Sequence, residues 1–227
     1  MKLGIIIPTR GDRPAFLDNC LRMLYEQDKN SFVDIYMDVH IVDYAPKDKD
    51  IDITPRYRSG YDHFRNKGFD LLAFIEDDDW YSPVYLQTML KKWEEVGRPD
   101  LFGTAKTMYY HIELRAYYIM EHHTRSSAMN TFIRPDMDFP WPVDLEPYLD
   151  LHLWKTIPNR QIWLPDKWYS IGIKHGTGKT IDGGGHRIHD DDYVKLRYIH
   201  PDNGLLKETM DADSFEFYNN YFQPITK

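Results

Sequence analysis

Apolar and polar positions alternate along the first hundred residues in blocks that predict alternating strands and helices. Residues 3–7, Leu3-Gly4-Ile5-Ile6-Ile7, form a continuous apolar run closed by Pro8, the pattern of a strand buried on both faces. A polar turn through Asp12 and Arg13 follows, then a helix over 14–27 with apolar positions at Phe16, Leu17, Leu21 and Leu24. Cys20 lies on that same stripe and is expected to be a buried, inert thiol. A second strand is predicted over 33–42, a loop over 45–60, a helix over 61–68 and a third strand over 70–75. Pro83 then opens a helix carrying Leu86, Met89, Leu90 and Trp93. This β-α-β-α-β-α order implies a mostly parallel, Rossmann-like sheet with helices on both faces. Ligands of such sheets bind beyond the carboxyl ends of the strands. Three polar clusters fall there: Pro8-Thr9-Arg10, Asp43-Tyr44 and Glu76-Asp77-Asp78-Asp79.

The second half reads differently. Strands are predicted over 101–108 and 111–120, joined as a hairpin through Tyr109-Tyr110, with a further short strand over 129–134. A proline-rich loop over 135–147, a helix over 148–156 and a strand over 169–174 follow, and residues 174–189 are glycine-rich. No linker divides the chain, so 227 residues are expected to make a single domain, with 1–100 as one half and 101–227 as the other.

Composition narrows the function. Apolar residues are 42% of the chain, enough for a sizeable core, and the net charge of −8 argues against a broad nucleic-acid surface. With a single cysteine no intrachain disulfide forms, and no apolar run approaches membrane length, so a cytoplasmic protein without a transmembrane segment is expected.

Four consecutive acids at the end of an apolar strand carry the strongest chemical signal. Carboxylates buried together need a countercharge or shift their pKa values. Their oxygens are the preferred ligands of a hard divalent cation, Mn2+ or Mg2+, which bridges phosphates and neutralises a departing diphosphate. A solvated helix N-terminus is the plainer alternative; the apolar strand before the run and Trp80-Tyr81-Ser82-Pro83 after it favour the metal. His175-Gly176-Thr177-Gly178-Lys179-Thr180 does not make a phosphate-binding P-loop, because Ile173 stands where its first glycine belongs.

Ile5-Ile6-Ile7-Pro8-Thr9-Arg10 and Phe74-Ile75-Glu76-Asp77-Asp78-Asp79-Trp80, with Arg65-Asn66-Lys67-Gly68 between them, resemble the signatures of family-2-type glycosyltransferases of the GT-A fold. The resemblance implies an α/β GT-A domain with a nucleotide-sugar-binding half followed by a mixed, acceptor-side region. It implies transfer with inversion from a UDP-linked or related nucleotide-sugar donor to a glycan, lipid or other hydroxyl acceptor. It assigns Pro8, Thr9, Arg10, Asp43 and Arg65 to the nucleotide, Asp77 to the ribose, and Asp78 with Asp79 to the cation. Either register of the acidic motif fits. It further points to Asp150 as the general base, with Asp144 and Glu146 as alternatives. The resemblance implies His175 or His186 as an extra metal ligand, while the glycine-rich, cation-bearing loop itself reads as a C-terminal lid on which Lys179 pairs with phosphate. Nucleotidyl transfer and a non-catalytic sugar- or Ca2+-binding module are the competing functions.

Overall fold

A computed structural model describes residues 1–27, 35–44, 51–176 and 197–221. Six strands form the main sheet in the order β2-β1-β3-β8-β5-β9: β1 (Lys2–Pro8), β2 (Tyr36–Val42), β3 (Leu71–Phe74), β5 (Leu101–Thr104), β8 (Thr131–Ile133) and β9 (Arg160–Trp163). Strands β2, β1 and β3 run parallel, and β8 is inserted antiparallel between β3 and β5. Alternate side chains of β1 serve opposite faces. Leu3, Ile5 and Ile7 pack with Phe16 and Cys20 of helix α1 (Pro14–Tyr25) and with Leu86 and Met89 of α3 (Tyr85–Glu95). Ile6 packs with Tyr57 and Phe64 of α2 (Ile53–Phe64), in the cluster that also holds Leu153 and Trp154 of α4 (Leu149–Thr156). Helices therefore cover both faces, as the alternation implied.

Helix α2 begins at Ile53, inside the segment expected to be a loop. Pro55 lies in its first turn, where a missing N–H breaks no intrahelical bond. Gly60 faces β1 so closely that a Cβ there would sit 2.2 Å from Ile6 Cγ2, which brings the helix down onto the strand.

A second sheet has the order β11-β7-β6-β10-β4, from β4 (Trp80–Tyr81), β6 (Lys106–His111), β7 (Ala116–Glu121), β10 (Ser170–Lys174) and β11 (His200–Pro201). The hairpin turn between β6 and β7 lies at residues 112–115, not at Tyr109-Tyr110, which are paired within the strand with Tyr118 and Tyr117. Two short helices, α5 (Leu205–Thr209) and α6 (Ala212–Asn220), end the described chain, and Tyr218 of α6 donates to the Asp78 carbonyl at 3.3 Å.

Candidate active site at the carboxyl edge of the sheet

Register brings the three polar clusters together. Pro8 is paired with Val42 and Ile6 with Phe74, so Thr9, Asp43 and Glu76 leave the sheet along one edge. Arg56, 1% exposed, ties that edge by donating from Nη1 to the carbonyls of Thr9 (2.5 Å) and Val42 (3.1 Å). Asp52 accepts the Arg56 fork on Oδ2 and the Arg10 fork on Oδ1, with distances of 2.7–2.9 Å. Thr9 is buried and Asp43 is exposed. Arg65 is not brought to this edge. It follows α2 and precedes Asp70, whose carboxylate accepts from Lys2 N–H at the opposite, amino end of the strands, and its own ion pair is with Asp138.

The acidic run turns away from β3 and enters β4, which pairs antiparallel with β10. That pairing lays residues 173–175 beside the acids. Ile173 N–H donates to Asp79 Oδ1 at 2.7 Å, and His175 Nε2 lies 2.9 Å from Asp78 Oδ2. Lys174 is buried, with its ammonium over the Tyr109 ring. Arg13, from the loop between β1 and α1, donates from Nη2 to Asp77 Oδ1 at 2.6 Å and from Nη1 to Asp78 Oδ2 at 2.5 Å. Its Nη1 also lies 3.0 Å from His175 Nε2. Neither tautomer lets Nε2 donate to Asp78 and accept from Arg13 at once.

Asp77, Asp78 and Asp79 are each 3% exposed or less. Burial pushes the Glu76 carboxyl up to about 7 and the Asp77 carboxyl up to about 6, against the pull of Lys174 and Arg13 respectively. Asp79 is raised well above the usual range by burial, then by Asp78 and Glu76. Burial opposes the charge on Arg13 and on Lys174, yet the surrounding carboxylates outweigh it and raise the pKa of each.

The donor set fits a divalent cation. Glu76, Asp78 and Asp79 each offer an oxygen within 4.8 Å of the others. Asp77 Oδ2 and Asp79 Oδ2 are buried without a hydrogen-bond partner among the described residues, a cost of about 1–3 kcal/mol for each such group. Hard cations take several such oxygens. Glu76 thus joins Asp78 and Asp79, which the sequence had singled out, and His175 adjoins Asp78.

Asp150 sits in the first turn of α4, 8% exposed, in an ion pair with Arg125. Burial raises its pKa despite Arg125. Strand β8 runs antiparallel to β3, and Thr54 at the start of α2 donates to Glu146 O at 2.7 Å, so the chain re-enters the site edge just before Asp150. Burial raises the Tyr109 hydroxyl pKa, and the charges of Glu76, Asp79 and Asp150 add to that effect. Of the alternatives, Asp144 is exposed and paired with Arg58, and Glu146 accepts from Tyr148 N–H. Lys179 and His186 lie outside the described residues.

Arg13, Lys174, Arg56 and Asp52 were missed in the sequence. For Arg13 a signal existed, a basic residue in the strand-to-helix turn immediately before Pro14. Cys20 is buried as expected, its Sγ 3.7 Å from the Glu76 carbonyl.

No protein-family model matches the chain, and no curated protein matches it in sequence. Solved structures do match. S. aureus TarS 1–349 in complex with UDP-GlcNAc superposes with a TM-score of 0.53 at 16% identity, covering 79% of this chain and 60% of that one. The UDP complex of the same fragment gives a TM-score of 0.48 at 17% identity, covering 76% of this chain and 60% of that one. This chain therefore spans about 60% of the length of the TarS fragment. The likeness shows the architecture alone: the chain has the GT-A fold that it shares with TarS.

Proposed function

We propose that the chain is a metal-dependent glycosyltransferase that moves a sugar from a nucleoside diphosphate sugar, UDP-linked, to a hydroxyl acceptor with inversion. The observation that carries this reading is the buried acidic run with orphaned carboxylate oxygens, set where the ends of β1 and β2 also converge. The shared fold with a protein solved with UDP-GlcNAc supports it. Pro8, Thr9, Arg10 and Asp43 would receive the base and ribose, with Asp77 beside the ribose. Asp78 and Asp79, joined by Glu76 and His175, would hold Mn2+ or Mg2+. Such a cation supplies Lewis-acid neutralisation of the diphosphate. Asp150 removes the acceptor hydroxyl proton, a role suited by burial that raises its pKa toward the working range. Lys179 keeps its sequence-based assignment to phosphate. The acceptor is a glycan, lipid or other hydroxyl compound.

A thermal-shift panel of UDP-, GDP- and dTDP-sugars with and without Mn2+ tests the proposal. A ligand at about a hundred times its Kd adds about 2.7 kcal/mol to the native state, a rise of about 5–10 °C for a chain of this size. The rise should need UDP-sugar and Mn2+ together, should vanish in Asp78→Ala, and should be accompanied by Mn2+-dependent hydrolysis of the donor. Equal responses in wild type and variant would overturn the assignment.

A further inference from the structure

Arg13 occupies one carboxylate of the candidate cation cluster, Asp78, together with the neighbouring Asp77 and His175. Its guanidinium bridges Asp77 Oδ1 and Asp78 Oδ2 at 2.6 and 2.5 Å and lies 3.0 Å from His175 Nε2. The remaining nitrogen, Nε, is buried and makes no hydrogen bond among the described residues. One of the two carboxylates that anchor this head group, Asp78, is thus also a candidate cation ligand. A guanidinium and a divalent ion about 4 Å apart repel by several kcal/mol at an effective dielectric constant of about 20. The two therefore compete for Asp78 Oδ2. The loop that bears Arg13 starts at Thr9, on the edge where the strand ends converge, and the side chain is 14% exposed. Released from the acids, it faces the same edge with an unoccupied planar fork, the geometry that pairs best with phosphate oxygens.

We propose that Arg13 is a resident counter-ion of the acidic run that exchanges its carboxylates for the donor's diphosphate when a divalent cation takes Asp78. This rests on the glycosyltransferase reading and adds to it a donor-binding residue and a coupling. Cation and nucleotide each make the other's binding more favourable, because one frees the fork that the other engages.

The test is Mn2+ binding by the full chain at pH 8 without nucleotide, read from the EPR signal of free Mn2+, then UDP binding at saturating Mn2+. Arg13→Gln should bind Mn2+ about tenfold or more tightly than wild type, since the competing charge is gone. It should bind UDP about tenfold more weakly, having lost a charge-assisted fork. Arg13→Lys keeps the charge and loses the fork, so it shifts both affinities in the same directions by smaller factors, and it decides the matter if the glutamine variant does not fold. Wild-type protein that binds neither Mn2+ nor UDP overturns the glycosyltransferase reading itself. Wild-type protein that binds both, with variants of unchanged Mn2+ affinity, overturns the role of Arg13 alone.

Discussion

Replacing Asp52 with alanine removes the carboxylate that orders two arginines at the carboxyl edge of the sheet. Its Oδ1 takes the Arg10 fork and its Oδ2 the Arg56 fork. Breaking a buried ion pair from one side costs about 3–5 kcal/mol, because the stranded charge stays buried. Arg56 is 1% exposed and cannot reach water without moving. It keeps some support: the Thr9 and Val42 carbonyls, and the Tyr44 ring 4.1 Å from its guanidinium carbon. That places its loss at the lower end of the range. Arg10, at 10% exposure, can relax toward solvent, and its share is at most about 1 kcal/mol. The expected total is about 3 kcal/mol. With a urea m-value of about 3 kcal/mol/M, the midpoint falls by about 1 M. A double-mutant cycle with Arg56→Met isolates the pair, since the coupling energy should carry most of the loss. UDP affinity should fall with it, because Arg56 holds Thr9 and Val42 in register. A loss below about 0.5 kcal/mol in Asp52→Ala would refute the view that this carboxylate organises the strand ends.

Two further outcomes are expected. The Mn2+-induced rise in Tm should be small at pH 5.5 and large at pH 8. The Glu76 carboxyl, pushed up to about 7, holds at the lower pH a proton that the metal must displace, and the neighbouring Asp77 carboxyl, pushed up to about 6, also holds one there. Because the folded chain holds these protons where the unfolded chain has released them, the pair's contribution to metal-free stability falls as pH rises through that window, and Mn2+ restores it. Equal shifts at the two pH values would contradict this. Asp150→Asn should lower kcat by about a hundredfold or more while leaving the UDP and Mn2+ thermal shifts intact. A kcat within a factor of two of wild type would remove Asp150 from the base role.

The sequence by itself determined the layered sheet and the place of its chemistry. Strands buried on both faces read as unbroken apolar runs, and the acids that end β3 stand out because a buried strand cannot continue through them. Residues on one strand end, such as Thr9 and Arg10 or Asp77 and Asp78, are neighbours in the chain and are legible there. Helix α2 was hidden by its proline and charges, although Tyr57, Tyr61 and Phe64 recur at helical spacing on its buried face. What only the tertiary structure decided is the set of partners around the acids. Arg13 and His175 meet at Asp78 Oδ2 in space but are 162 residues apart in the chain. His175 arrives because β10 pairs antiparallel with the two-residue strand β4, a pairing too short to leave a pattern. Arg65, close in sequence to the acids, goes to the far end of the sheet because β3 lies between them. Local periodicity records burial, whereas the neutralisation of buried charge is settled by strand pairing between distant segments.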